Sequence, residues 1–281
     1  MIDSNYLSKA LTERFGLGVS AIVRDSYNTE GVNDGQKIII EPTGIESTIS
    51  FKVELTLGWR TLFAVFKPAD FASSLLKKMN ASNQEQKTVF SVFANSLKSR
   101  GAILELLIND KSFEPSEPHN WPEVWTNITI KMRKQGLILE NESDYNFSEA
   151  FPWATGFFGM TLALLPLEGI SETESPGEVE GSTRFLERVK RYERSRINRA
   201  ACIELNGDSC KICSFNFGKT YGEFGAGFIH VHHIVPLSEM GGSYSLNPAT
   251  DLIPVCPNCH SMLHLKQKVL QPDELKDLIN V

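Results

Sequence analysis

The sequence predicts an α+β chain in two parts. An N-terminal α+β domain spans residues 1–167, and past an acidic linker at 168–182 a small metal-stabilised domain spans 183–281. Three observations lead there. All five Cys and five of the six His lie beyond residue 200, so metal-binding side chains are concentrated in the last third. Residues 168–182 hold five Glu with no basic and no aromatic residue, a composition that buries nothing. Ahead of them, strand-like and helix-like patterns alternate in a chain with 41% hydrophobic residues, enough for a substantial core.

In chain order, residues 19–25, 36–41 and 48–57 carry β-branched residues between Gly, Asn and Asp turns. Ile49, Phe51, Val53, Leu55 and Leu57 alternate on one face. Residues 68–98 read as helical, with Phe71, Leu75 and Met79, then Val89, Phe93 and Leu97, at helical spacing. Strands follow near 102–108 and 126–132, where Ile128, Ile130 and Met132 alternate with polar neighbours. Residues 150–167 contain no charge. Pro152, Gly156, Gly159 and Pro166 interrupt this run and no Lys or Arg anchors its ends, so it reads as a buried core helix, with no membrane as partner. All four Trp (59, 121, 125 and 153) lie in this domain. The prolines around Trp121 and Trp125 suggest an exposed loop, which makes these two the candidates for stacking a modified or flipped base; core packing is the plain alternative for each tryptophan. The domain contains no glycine-rich phosphate loop, no Gly-x-Ser-x-Gly elbow and no suggestive acidic pair.

The C-terminal domain opens on a basic stretch. Arg184, Arg188, Arg191, Arg194, Arg196 and Arg199, with Lys190, are opposed only by Glu187 and Glu193. This is the pattern of a basic helix whose natural partner is a polyanion such as double-stranded DNA; a solvated helix face or strut is the plain alternative. Residues 1–182 carry 16 Lys and Arg against 24 Asp and Glu, whereas residues 183–281 carry 12 against 10. Cys210-Lys-Ile-Cys213 and Cys256-Pro-Asn-Cys259, 42 residues apart, each have zinc-knuckle spacing. Together they supply a four-thiolate site for a structural Zn2+, which replaces core that so short a segment could only partly build. Cys202 stands outside both pairs and reads as a small buried hydrophobe.

Between the pairs, residues 228–238 read as a strand ending at a turn. Alternation points His232 and His233 to opposite faces, so one can bind a metal while the other approaches a substrate. His260 and His264, at i and i+4 on a following helix, share one face as two ligands of a single ion require.

The string His232-His-x-x-Pro-Leu-Ser238, followed by Asp251-Leu-x-Pro-x-Cys-Pro-x-Cys-His-x-x-x-His264, resembles the HNH (ββα-metal) endonucleases. The likeness is to the zinc-stabilised McrA-like branch found in restriction enzymes, and it covers about residues 190–270. The resemblance implies that His233 is the general base that deprotonates the attacking water. It also implies that His232, His260 and His264 hold one divalent cation (Mg2+, Mn2+, Co2+ or Ni2+) against the scissile phosphate. One position departs. Nine residues before His260, many members have the Asn that gives the motif its middle letter, and here stands Asp251. As a catalytic side chain Asp251 would orient His233 through a hydrogen bond. As a turn residue it would be structural, and Asn247 and Asn258 are nearby alternatives for the middle letter. His230, on the strand face of His232, reads as a neighbour of the ligands rather than a fourth.

Two function classes follow. One is a metal-dependent DNA endonuclease of a restriction or anti-phage system, whose N-terminal domain selects the DNA, modified bases included. The other is a zinc-stabilised DNA-binding or interaction protein with a vestigial nuclease site. Intact His232, His233, His260 and His264 favour the first. The start, Met-Ile-Asp-Ser-Asn-Tyr, carries no secretory signal, which together with paired cysteines as ligands predicts a cytoplasmic location. The net −8 of the first 182 residues leaves open that this half binds protein, nucleotide or a second copy of itself as a homodimer.

Overall fold

The computed structural model describes residues 2–27, 33–44, 50–69, 73–137, 143–165, 196–234, 245–266 and 269–279. The chain divides into two compact units, Met1–Ile197 and Asn198–Val281. The linker expected at 168–182 lies outside the described residues, as do Arg184, Arg188, Arg191 and Arg194 of the basic stretch.

The N-terminal unit is built on one antiparallel sheet. Its strands are β1 (Val19–Tyr27), β2 (Asn33–Pro42), β3 (Phe51–Leu57), β4 (Thr61–Pro68), β5 (Ala102–Ile108), β6 (Lys111–Phe113) and β7 (Ile128–Gln135), in the order β1-β2-β3-β4-β7-β5-β6. Helices α1 (Ser4–Phe15), α2 (Ser73–Asn80), α3 (Gln84–Ser99) and α4 (Ser143–Ala163) complete it. Strand alternation gives the sheet one apolar face, carrying Ile38 and Ile40, Val53 and Leu55, Leu62 and Phe66, and Ile130 and Met132, all buried. Phe158 of α4 fills the middle of that core, with ring centroids 5.5 Å from Phe15 of α1 and 5.9 Å from Phe51 of β3. Gly159 lets α3 approach: a Cβ there would stand 2.6 Å from the Phe93 ring.

Phe51, Val53, Leu55 and Leu57 share the buried face, as their alternation predicts; Ile49 and Phe71 lie outside the described residues. The helical stretch expected over 68–98 is two helices. Asn83 and Gln86 form a capping box that starts α3 afresh, and β4 occupies 61–68. The uncharged run is the buried second half of α4, and among the described residues no helix is long and apolar enough to cross a membrane.

Helix α1 carries an unexpected task. β1 is an edge strand, and its outward N–H groups at Val19, Ala21 and Val23 donate to the hydroxyls of Thr12 (3.1 Å), Ser8 (2.8 Å) and Ser4 (3.0 Å). The match is geometric: four helical residues rise about 6 Å and two strand residues about 6.7 Å, so an i, i+4, i+8 row meets an i, i+2, i+4 row.

On the opposite sheet face Glu54 is buried among cations. Its carboxylate lies 2.8 Å from Lys37, 3.4 Å from Lys52 and 2.7 Å from Lys67. Burial by itself would raise this carboxyl; hydrogen bonds from Lys37 and Lys67 and their charges overcome that and hold it at about 2. Its folded value is depressed, so the stabilisation is present above the unfolded value near 4.5 and is lost as pH falls towards 2. Glu54→Gln is expected to cost roughly 3 kcal/mol at pH 7, with the gap to wild type closing below pH 4 in parallel urea titrations of the N-terminal transition.

The chain is helical from 196 to 206 (α5), and the residues of α5 from Asn198 on belong to the C-terminal unit, which also holds α6 (Phe217–Tyr221), the antiparallel pair β8 (His230–His233) and β9 (Leu252–Val255), α7 (Pro257–Leu263) and α8 (Pro272–Leu278). Two strands followed by α7 make the ββα arrangement that the resemblance implies. Its small core packs Ile203, Ile212, Ile229, Val255, Leu263 and Leu275 directly against Cys210, Cys256 and Cys259. Arg199 ties α5 to the strands, its guanidinium donating to the Ile229 carbonyl at 2.8 Å.

Candidate metal centre and active site

Backbone turns bring the two cysteine pairs together. After Cys210 the chain folds back so that Ser214, in the left-handed region at φ 61°, donates to the Cys210 carbonyl and Cys210 donates to Phe215. The second pair sits at a helix start: Cys256 caps α7, its sulfur accepting from the Cys259 N–H at 3.4 Å. Cys210, Cys213, Cys256 and Cys259 thereby gather within 4.8 Å of one another. The Cys213 and Cys256 sulfurs are 3.7 Å apart, close to the edge of about 3.8 Å that a tetrahedron with Zn–S bonds of about 2.3 Å requires. The chemistry of the set suits a cation. Burial, and then the neighbouring thiols, push the Cys259 thiol upward, whereas at Cys210 burial is outweighed by backbone hydrogen bonds that lower it, and a positive charge among them would favour the thiolate at every one. The four thiols therefore fit a structural zinc. Cys202 is apart from them, fully buried, and burial pushes it up to about 12, which makes it the inert hydrophobe expected of it.

The second cluster lies at the β8–α7 junction. His232, His260 and His264 offer ring nitrogens within 4.8 Å of one another. His232 Nδ1 and His264 Nε2 stand 3.3 Å apart, close to the edge of about 3.3 Å expected for two imidazoles on one tetrahedral ion with bonds near 2.0–2.1 Å. His232 is 3% exposed and its Nε2 meets no partner among the described residues. Burial first, and the nearby His264, His260 and His233 after it, push His232 down to about 4, so its ring is neutral and can act as a ligand at neutral pH. His260 is lowered in the same direction, again first by burial. His230 stands edge-on to the His260 ring at 5.3 Å and is not one of the three clustered nitrogens.

His233 follows His232 on β8, pairs with Leu252 of β9, and by strand alternation points away from the cluster side of the strand. Burial lowers its pKa, and the charge of Asp251 acts in the opposite direction. Asp251 is itself buried, and its carboxylate is engaged by its own turn: one oxygen accepts from the Asn247 N–H at 2.6 Å and the other from the Thr250 hydroxyl at 2.8 Å. Its carbonyl accepts from Ile234 at 2.9 Å, fastening the turn to the end of β8. The structure thus uses Asp251 as a turn residue whose charge raises the His233 pKa against the effect of burial. Asn247 lies in the same turn, and Asn258 lies on α7.

The remaining candidates divide. Arg196 donates to the Gly16 carbonyl and Arg199 to Ile229, so both guanidinia already have protein partners. The exposed aromatic loop is corrected. Trp121 and Trp125 are 7% and 6% exposed, pack edge-on to each other at 5.8 Å, and Trp121 packs against Phe90 at 5.1 Å. Their indole N–H groups donate to the carbonyls of Glu114 and Pro122. The prolines do mark a loop, but its rings turn inward. The exposed indole is Trp59, 83% accessible, and the alternation of Leu62, Ala64 and Phe66 just after Gly58 could have revealed the hairpin that presents it.

Comparison with known proteins agrees with this geometry. The family model described as "HNH endonuclease" matches residues 210–266. The type IV methyl-directed restriction enzyme EcoKMcrA of Escherichia coli (strain K12) is 28% identical over 107 residues, covering 38% of this chain and 37% of the relative. The chain thus matches little more than a third of that relative's length, and no solved structure matches it. The ββα arrangement and the four thiols fall within the matched segment, so residues 210–266 form a domain of the HNH endonuclease type, and part of the chain is similar to EcoKMcrA.

Proposed function

We propose that the protein is a metal-dependent endonuclease that hydrolyses phosphodiester bonds of double-stranded DNA in a cytoplasmic restriction or anti-phage system, with the N-terminal unit selecting the DNA. The observation that carries this reading is the gathering of three imidazole nitrogens beside a fourth, differently directed imidazole on the same strand. His232, His260 and His264 hold one divalent ion, and such an ion supplies Lewis-acid stabilisation of the charge that grows on a scissile phosphate. His233 takes the proton of the attacking water at a ring nitrogen, and its lowered pKa keeps that nitrogen neutral at physiological pH. Asp251 fixes the β8 end and favours the imidazolium that forms. The relative's description as methyl-directed makes methylated DNA the first substrate to try.

The test is cleavage of methylated and unmethylated plasmid DNA by purified protein given Mg2+, Mn2+, Co2+ or Ni2+ in turn. Cutting with at least one ion, stopped by chelator, is expected. Zinc-loaded protein that binds DNA but cuts with none of the four would favour the vestigial-site reading. His260→Ala is expected to weaken uptake of the second, exchangeable ion by at least tenfold and to leave the zinc content unchanged, as titration calorimetry and metal analysis would report.

A further inference from the structure

The N-terminal unit turns one face of its sheet to its helical core. The other face carries exposed side chains from six strands. The register aligns Arg24, Lys37, Thr56, Phe63, Arg133 and Ile103 in a single row, about 24 Å long at ordinary strand spacing. Phe63 is 43% exposed and the Arg133 guanidinium lies 5.6 Å above its ring. Charge on this face runs against the rest of the domain. Among the described residues, Arg24, Lys37, Lys52, Lys67, Lys131 and Arg133 meet only Glu41, Glu54 and Glu105 on this face, in a half of the chain with net −8. Six cations against three acids leave the face positive, and two of the acids also hold cations in place: Glu54 fixes Lys37, Lys52 and Lys67, and Glu105 lies 3.4 Å from Lys131.

At one end of the face β3 and β4 turn through Trp59 and Arg60. Gly58 donates to the Thr61 carbonyl at 2.8 Å and Gly136 to the Arg60 carbonyl at 2.9 Å, so the tip is braced from its own hairpin and from β7. Among the described residues of this unit no other large apolar side chain is as exposed as Trp59.

We propose that this sheet face is the surface by which the N-terminal unit docks on duplex DNA, with its lysines and arginines on phosphates and Trp59 entered at a base step. The inference rests on the reading of the chain as a DNA nuclease and names the surface that reading lacked. Cations spread along a row suit a linear polyanion better than a compact anion, which a single pocket would hold. A rigid aromatic beside the middle of such a row, at the tip of the hairpin that carries Thr56 and Phe63, suits the π-face of a base, which every sequence offers. The acidic remainder of the domain then keeps DNA on this face alone.

The experiment uses the full chain carrying His233→Ala, so that DNA is not cut, and a fluorescein-labelled duplex with and without methylated cytosine. Anisotropy is read over a series of salt concentrations. Arg24→Ala with Arg133→Ala, neither of which touches Glu54, is expected to weaken binding at least tenfold and to flatten the slope of log K against log salt by about 1.8. Trp59→Ala is expected to weaken binding about tenfold with the slope unchanged. Lys9→Ala with Lys87→Ala, on α1 and α3, is expected to change neither, and thermal melts confirm that every variant is folded. Wild-type affinity and slope in the face and Trp59 variants would overturn the docking surface and leave the nuclease reading standing. No binding by the parent chain would overturn both. A change in sedimentation with DNA binding intact would replace DNA on this face by a second copy of the chain.

Discussion

Protein carrying Cys256→Ser is expected to purify without tightly held zinc and with its C-terminal unit unfolded, whereas the wild type is expected to contain about one zinc per chain. Three thiolates and a hydroxyl hold zinc poorly, and the free energy of a structural zinc site, about 10–16 kcal/mol, is as large as the whole stability of an ordinary domain, about 5–15 kcal/mol. The unit has little to set against that loss, because Cys210, Cys256 and Cys259 are themselves members of its core. Cys213→Ser should behave alike. Cys202→Ser, which alters a buried sulfur outside the cluster, should keep the zinc and cost about 1–3 kcal/mol. Metal analysis and circular dichroism decide the matter: a metal-free preparation that melts as cooperatively as the native one would sink the four-cysteine assignment.

His233→Ala is expected to lower the cleavage rate by about 10²- to 10⁴-fold while zinc content and DNA affinity stay near wild type, because a general base acts on the transition state and hardly on binding. The pH profile carries a second signature. The base must be neutral, so activity is lost as pH falls through the His233 pKa, and burial places that value below the ordinary 6.5. The acid limb of kcat/KM should therefore lie below pH 6.5. Asp251→Asn removes the opposing charge and should move that limb further down, although the turn it holds makes some loss of stability unavoidable. Cleavage by His233→Ala at the wild-type rate would remove His233 from the mechanism.

The gathering of the two side-chain clusters is legible in the sequence for a chemical reason. Metal coordination fixes residue identity as well as spacing, so Cys210, Cys213, Cys256 and Cys259 announce themselves and the imidazoles at 232, 260 and 264 follow. Period-2 alternation likewise marks β3, since Phe51, Val53, Leu55 and Leu57 all face one core. Helix α1 was hidden because Ser4, Ser8 and Thr12 look like weak helix formers until the strand that uses their hydroxyls is beside them. Glu54 and its three lysines come from neighbouring strands, and only their register brings them together. Proline marks a loop without saying which way its rings turn, so the sequence points to Trp121 and Trp125 as exposed and carries no such mark at Trp59.

The hydroxyl row of α1 also limits how copies of this chain can associate. A sheet edge with free N–H groups is a template on which another chain can add a strand, the usual first step towards fibrils and strand-swapped dimers. Along β1 that template is already occupied at Val19, Ala21 and Val23, and the opposite edge is broken into two short pieces, the three residues of β6 and the first four of β5 that β6 leaves uncovered. Open-ended growth of the sheet is thus blocked on one side by side chains and on the other by brevity. Ser8→Ala, which frees the middle N–H, should cost about 1–3 kcal/mol and also make warmed protein cloud sooner and bind thioflavin, a loss of solubility out of proportion to one hydroxyl.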